Sequence, residues 1–210
     1  MIQDKERLND EQESLRTAID GALSKLWTAL PAKIVSVDYA KQTLSAQPTV
    51  MGINEDSKGN ITNVNLPLLV DVPFQSFGSS EFVITMPNLE GAECLIVFSS
   101  RCIDGWWSAG GIQPQAEQRM HDLSDGMAII GFNSQARVIP NYSTTATEVR
   151  TFDGSTKIGL IAGTVTITAS HTIISGDLTV TGDVKGNGTS LHTHTHSGVS
   201  TGTSNTGVPN

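Results

Sequence analysis

Thr164-Val165-Thr166-Ile167-Thr168-Ala169-Ser170-His171-Thr172-Ile173 alternates hydroxyl and apolar residues almost without a break. Side chains of an extended chain point to opposite faces in turn. Val165, Ile167, Ala169, His171 and Ile173 therefore share one face, and Thr164, Thr166, Thr168, Ser170 and Thr172 the other. A second run sets Leu178, Val180 and Val184 against Thr179, Thr181 and Asp183, and Gly176, Gly182 and Gly188 recur every six residues. Periodicity this short marks a solenoid or a β-helix.

Fifty such residues cannot build a core of their own. Residues 141–190 contain no Trp, Cys or Met, and Tyr142 and Phe152 are their only aromatics. A single copy would be an edge-rich ribbon, open to aggregation. Winding three copies together buries each apolar face on a common axis and pairs each free edge with a neighbour. The predicted fold here is an intertwined, triple-stranded β-helix. The bland alternative is a disordered threonine-rich linker, but linkers lack this alternation.

Beyond the ribbon stands Leu191-His192-Thr193-His194-Thr195-His196-Ser197-Gly198-Val199, which holds three of the five histidines. In an extended strand His192, His194 and His196 would all face one way. Neutral imidazole is the commonest metal ligand among side chains. One chain offers too few donors for a closed site, whereas three chains each giving an H-x-H pair would converge six nitrogens. Such a shell suits a first-row transition metal such as iron or nickel rather than four-coordinate zinc. The opposing reading is a frayed, solvated tail.

Upstream of the ribbon the composition is that of an ordinary domain. All three tryptophans, and every phenylalanine except Phe152, lie at or before residue 132. Strands are predicted at Ala32–Val37, Thr43–Gln47, Val64–Val72, Phe82–Met86, Cys94–Phe98, Ile103–Ser108 and Met127–Gly131. Turn signals at Asp56-Ser57-Lys58-Gly59-Asn60, Pro87-Asn88 and Asp104-Gly105 separate them. Short strands in this number fit a small barrel such as an OB-fold, or a sandwich. Leu8, Leu15, Ile19, Ala22, Leu23, Leu26 and Leu30 form one helical stripe that Pro31 is expected to end. The divisions read from these shifts are an N-terminal amphipathic helix (1–30), a β-barrel domain (31–139), a β-helix shaft (140–190) and an apex (191–210).

Bulk properties narrow the function. A net charge of −8 over 210 residues offers no basic patch for a nucleic acid. No stretch approaches the roughly 18–20 apolar residues that span a bilayer, and the start lacks the pattern of a signal peptide. Cys94 and Cys102 read as reduced thiols of a protein made in a cytosol, although their spacing would allow a hairpin bridge.

A helix, a small barrel, an alternating Thr/Gly/Val stalk and a terminal H-x-H together resemble the central, membrane-puncturing baseplate spikes of contractile-tailed bacteriophages. The barrel resemblance lies in Glu93-Cys94-Leu95-Ile96-Val97-Phe98 through Asp104-Gly105-Trp106-Trp107-Ser108-Ala109-Gly110-Gly111, and in Arg119-Met120-His121-Asp122-Leu123-Ser124-Asp125-Gly126. The apex resemblance lies in residues 191–199 and the closing Asn205-Thr206-Gly207. It implies a homotrimer in the virion, at the tip of the tail baseplate, with one iron ion per trimer and contacts to tail hub proteins. The host outer membrane would be met only in passing. The family pair sits just before a small-residue turn, which carries it to His194 and His196, while His192 leaves the register open.

Other chemistry finds little support. No G-x-S-x-G, H-E-x-x-H or Gly-Lys-Thr phosphate loop is present. A metallohydrolase would need further ligands and an open coordination position. A trimeric receptor-binding fibre or adhesin is the main rival, but its tip should carry aromatic or varied residues, and the last twenty residues have no aromatic. His121-Asp122-Leu123-Ser124-Asp125 reads as a polar turn with an Asx-type cap. His171 reads as a core histidine of the shaft. Trp106 and Trp107, on a strand, would face opposite sides.

Overall fold

The computed structural model describes residues 11–195, 197, 198, 202 and 203, which fall into two units, Met1–Ile139 and Pro140–Asn210. The first opens with helix α1 (Glu11–Leu23). The helical stripe does not run on to Leu30. Ala29–Asp38 is strand β1, and Ala32 and Ile34 on it are buried. Pro31 is therefore a strand residue and not a helix stop. It pairs with Leu95 on one side, while the other neighbour joins only from Ala32 onward, so the missing N–H leaves no gap in the ladder.

Strand β2 (Thr43–Pro48) follows, then a hairpin of β3 (Gly52–Glu55) and β4 (Ile61–Val64), and β5 (Leu69–Pro73). The predicted strand Val64–Val72 is thus split by Asn65–Leu68, with Pro67 at the break. The turn at Asp56 forms as expected, its carboxylate accepting from the N–H groups of Lys58 and Asn60 at 2.8 Å each. A two-residue β6 (Phe77–Gly78) pairs with β7 (Val83–Ile84), a remnant of the strand predicted over Phe82–Met86. Then come β8 (Glu93–Phe98), helix α2 (Asp104–Ala109) and β9 (Gly126–Ile130).

Five of these strands form one antiparallel sheet in the order β5-β2-β1-β8-β9. The sheet curls until its edges touch, where Phe74 and Ala128 form a parallel bridge and Gln75 N–H donates to the Ala128 carbonyl at 2.9 Å. The result is a half-barrel. Its concave side collects alternate residues: Ala32 and Ile34, Leu44 and Ala46, Cys94, Ile96 and Phe98, Ala128 and Ile130. Burying one such Ile or Leu side chain contributes about 1.5–3 kcal/mol. This single-chain core holds the unit together.

The strand predicted at Ile103–Ser108 is helix α2 instead. Asp104 sits in its first turn, and a Cβ on Gly105 would lie 2.9 Å from the Pro114 carbonyl, so a glycine lets the two segments meet. Trp106 and Trp107 become neighbours on one helix with ring centroids 6.1 Å apart, and both remain nearly half exposed.

In the second unit β10 (Thr147–Arg150), β11 (Lys157–Ile161) and β12 (Thr164–Thr168) form an antiparallel sheet. Arg150 fastens its start, donating to the carbonyls of Pro140 and Asn141, and Glu148 pairs with Lys157 at 2.7 Å and Arg150 at 3.2 Å. The predicted alternation continues to Ile173, but among the described residues strand pairing stops at Thr168. Residues 169–184 belong to no strand, and every residue from Leu160 to Thr189 is exposed. A last hairpin joins β13 (Lys185–Gly186) to β14 (Thr189–Ser190) through Asn187 and Gly188, both at positive φ, as a two-residue turn of this kind requires.

Candidate functional site

The apex grows from that last hairpin. Asp183 accepts a 2.8 Å hydrogen bond from the Ser190 hydroxyl and one of 3.3 Å from the His192 N–H. Ser190 Oγ accepts in turn from the N–H groups of His192 and Thr193, at 3.1 and 3.0 Å. Leu191 N–H reaches back to the Val184 carbonyl at 2.8 Å, and His194 N–H to that of Ser190 at 3.1 Å. Residues 191–193 are consequently a turn and not the extended strand read from the sequence. His192 and His194 are both exposed, and His196 lies outside the described residues.

The surroundings of His194 suit one tautomer. Its Nδ1 lies 3.0 Å from the Ser190 carbonyl and 3.2 Å from the Leu191 carbonyl. Carbonyls only accept, so a ring that carries a proton on Nδ1 suits these two partners. Backbone carbonyls holding the far nitrogen are the usual outer shell of a metal-binding histidine. The donor chemistry of His194 therefore fits a transition-metal ligand.

A second cluster lies in the half-barrel unit and went unread in the sequence. Asp125 is fully buried, and its carboxylate accepts from the Ile103 N–H at 3.0 Å and from Arg119 Nε and Nη2 at 3.1 and 3.0 Å. The same guanidinium reaches Asp104 at 2.9 Å, Glu117 at 2.7 Å and Cys102 Sγ at 3.2 Å. Hydrogen bonds to Asp125 and then Asp104 hold the Arg119 pKa above its ordinary value. Among the described residues, Cys102, Asp104 and Asp125 form the one group of three ligand-type side chains close enough to share an ion. Arg119 already supplies their cation. The cluster is a structural clamp that ties the loop after β8 to the approach to β9.

Asp122, beside it, behaves as the polar turn predicted. Its carboxylate caps Leu123–Asp125 by accepting from Ser124 N–H at 2.9 Å, which holds its pKa below the usual carboxylate range. His121 stands at φ 50° and spends its backbone on Ser99 and Trp27, while its Nδ1 is buried without a hydrogen-bond partner. His171 is exposed and lies outside the strands. Cys94 and Cys102 are unpaired. Cys94 Sγ faces the Ala32 carbonyl at 3.6 Å, and burial pushes its thiol up to about 11.

Among the described residues no helix is long and apolar enough to cross a membrane. No curated protein matches the chain. Residues 30–131, the span from the start of β1 to the end of β9, match the family model of the phage protein Gp138 N-terminal domain. The half-barrel is thus similar to that phage domain, over just under half of the chain.

Proposed function

We propose that the chain is the homotrimeric central spike of a contractile phage tail, which pierces the host outer membrane mechanically and has no enzymatic activity. In this reading the half-barrel is an OB-like base facing the tail hub. Three copies of residues 140–190 wind into a β-helix shaft, and the apex meets the membrane first. The virion baseplate is its place of action.

One observation carries the reading. Thirty consecutive residues, Leu160 to Thr189, are exposed, yet Leu160, Val165, Ile167, Leu178 and Val180 recur among them at strand-like spacing. Apolar residues in that rhythm need cover, and among the described residues of the second unit none gives it. Identical neighbours around a threefold axis supply it and also the missing strand edges beyond Thr168. The similarity of residues 30–131 to the phage Gp138 N-terminal domain favours a tail component over an unrelated fibrous protein.

An iron ion held by His194 and His196 from each chain, with His192 as the alternative member of the pair, would tie the three apices together where load is highest. The two carbonyls that face His194 Nδ1 support that role. A shaft whose backbone hydrogen bonds run between chains resists fraying because it keeps no open edge. The decisive measurement is light scattering combined with elemental analysis of natively purified protein. We expect a mass of three chains and about one transition metal per three chains, the ratio a six-nitrogen shell demands. A stable monomer would refute the spike, and one metal per chain would refute the shared site.

A further inference from the structure

One recess of the half-barrel unit collects side-chain oxygens. Val37, Leu44 and Val72 pack into the core of the sheet, so their neighbours in β1, β2 and β5 turn outward. On that outer face Asp38 pairs with Thr43 and Ser36 with Ser45. Asp71 lies in the bulge of β5 that faces Ser45. Five oxygen-bearing side chains from three adjacent strands thus line a recess of about 140 Å³, and no nitrogen or sulfur side chain lines it.

Thr43 is the informative member. It is 3% exposed, and among the described residues its hydroxyl has no hydrogen-bond partner. A hydroxyl buried that far ordinarily finds one. Among the described residues the fully covered side-chain atom without a partner is His121 Nδ1, so the Thr43 hydroxyl is open to the recess. Asp71 likewise makes no hydrogen bond or ion pair among the described residues. Asp38 Oδ1 accepts from the N–H groups of Ala40 and Lys41 at 3.0 Å each, while its Oδ2 lies 4.0 Å from Lys41 Nζ. That lysine is largely exposed and competes weakly for the carboxylate.

We propose that this recess binds a calcium ion, held by the carboxylates of Asp38 and Asp71 and the hydroxyls of Thr43 and Ser45, with Ser36 beside them. All-oxygen donors select a hard cation over the transition metals that imidazoles favour. Calcium accepts an irregular shell completed by water, whereas magnesium demands a near-ideal octahedron and sheds water reluctantly. The ion neutralises two like charges and gives Thr43 its partner. It also pins β1, β2 and β5 where bulges at Ile34/Ser36 and Leu44/Ala46 interrupt both ladders. Every ligand comes from one chain, so the site is independent of the threefold reading.

The test uses the full-length chain stripped with EDTA. Equilibrium dialysis against calcium chloride at constant ionic strength should find about one ion per chain. Calcium should also raise the thermal midpoint of the first unit. Asp71→Asn should bind many-fold more weakly, and asparagine tolerates the positive φ of 52° at that position, so the strand is kept. Thr43→Val should weaken binding several-fold without lowering the midpoint of the calcium-free protein, because no hydrogen bond is lost. A purely structural threonine would show the reverse, and that result would overturn the proposal. So would no binding by the native chain, unchanged binding by Asp71→Asn, or displacement of calcium by an equal concentration of magnesium.

Discussion

The two larger antiparallel sheets among the described residues use the same alphabet to opposite ends. In β1 and β8, Ile34 and Ile96 are 1% and 0% exposed, whereas in β12 Val165 and Ile167 are 64% and 60% exposed. Alternation alone therefore writes a strand with one apolar face, and a strand is not yet a core. The first sheet has five strands and bends until β5 touches β9, so it covers its own apolar face. The second has three, and among the described residues of its unit the run that follows lies in no second layer.

The sharpest way to break this contrast is to separate the units. A chain ending at Ile139 should keep its β-sheet signal and a cooperative thermal transition but lose the proposed threefold mass at micromolar concentration. A truncated chain that still scatters as a stable trimer would move the main association site to the first unit. Next in size come core deletions. Ile96→Ala should cost the first unit about 2–5 kcal/mol in urea unfolding. Ile167→Ala should leave that transition where it is and act on the concentration dependence of the second unit.

The buried clamp should rank close behind. Asp125→Ala leaves Arg119 without its main partner and the Ile103 N–H without an acceptor, at a cost of about 3 kcal/mol. Arg119→Ala should be comparably harmful, and the double variant should fall well short of the sum. Additive losses would mean that the two side chains do not act as one unit. At the apex, His194→Ala should lower the metal content while leaving the half-barrel transition unmoved.

The smallest effects concern pH. Hydrogen bonding to Lys157 first, and then the nearby Arg150, lowers the pKa of Glu148 in the folded chain. A folded pKa below the unfolded one contributes stability that is complete above the ordinary carboxylate range and is lost as pH falls through the lowered value. Glu148→Gln should flatten that acid limb in the second unit alone. Metal retention should fail earlier on acidification, as imidazoles take protons near pH ~6.5. Metal held unchanged well below that range would exclude histidine ligation.

Much of the strand content was legible because its cause is local. Glu93–Phe98 and Gly126–Ile130 alternate cleanly and lie within one residue of where the pattern puts them. The failures share a non-local cause. Pro31 reads as a helix stop until β8 recruits Ala29–Pro31 into the sheet. Trp106 and Trp107 look like strand residues until Gly105 packs against the 113–114 segment and the chain coils into α2. The Arg119 clamp was invisible, since Asp104 and Asp125 lie 15 and 6 residues away on opposite sides of it. No spacing rule links such positions. At the apex the clustering of histidines was plain, but the turn at 191–193 depends on Asp183 and Ser190, whose polar side chains gave no sign of that partnership.

If three chains wind together as proposed, the exposed stretch from Leu160 to Thr189 also bears on how the particle is made. Where a polypeptide cannot finish folding by itself, its last step is a collision between molecules, and the speed of that step depends on how crowded the newly made copies are. Synthesis from neighbouring ribosomes on one message would favour correct assembly. Dilute or overheated expression would instead leave sticky half-finished ribbons that join the wrong neighbours.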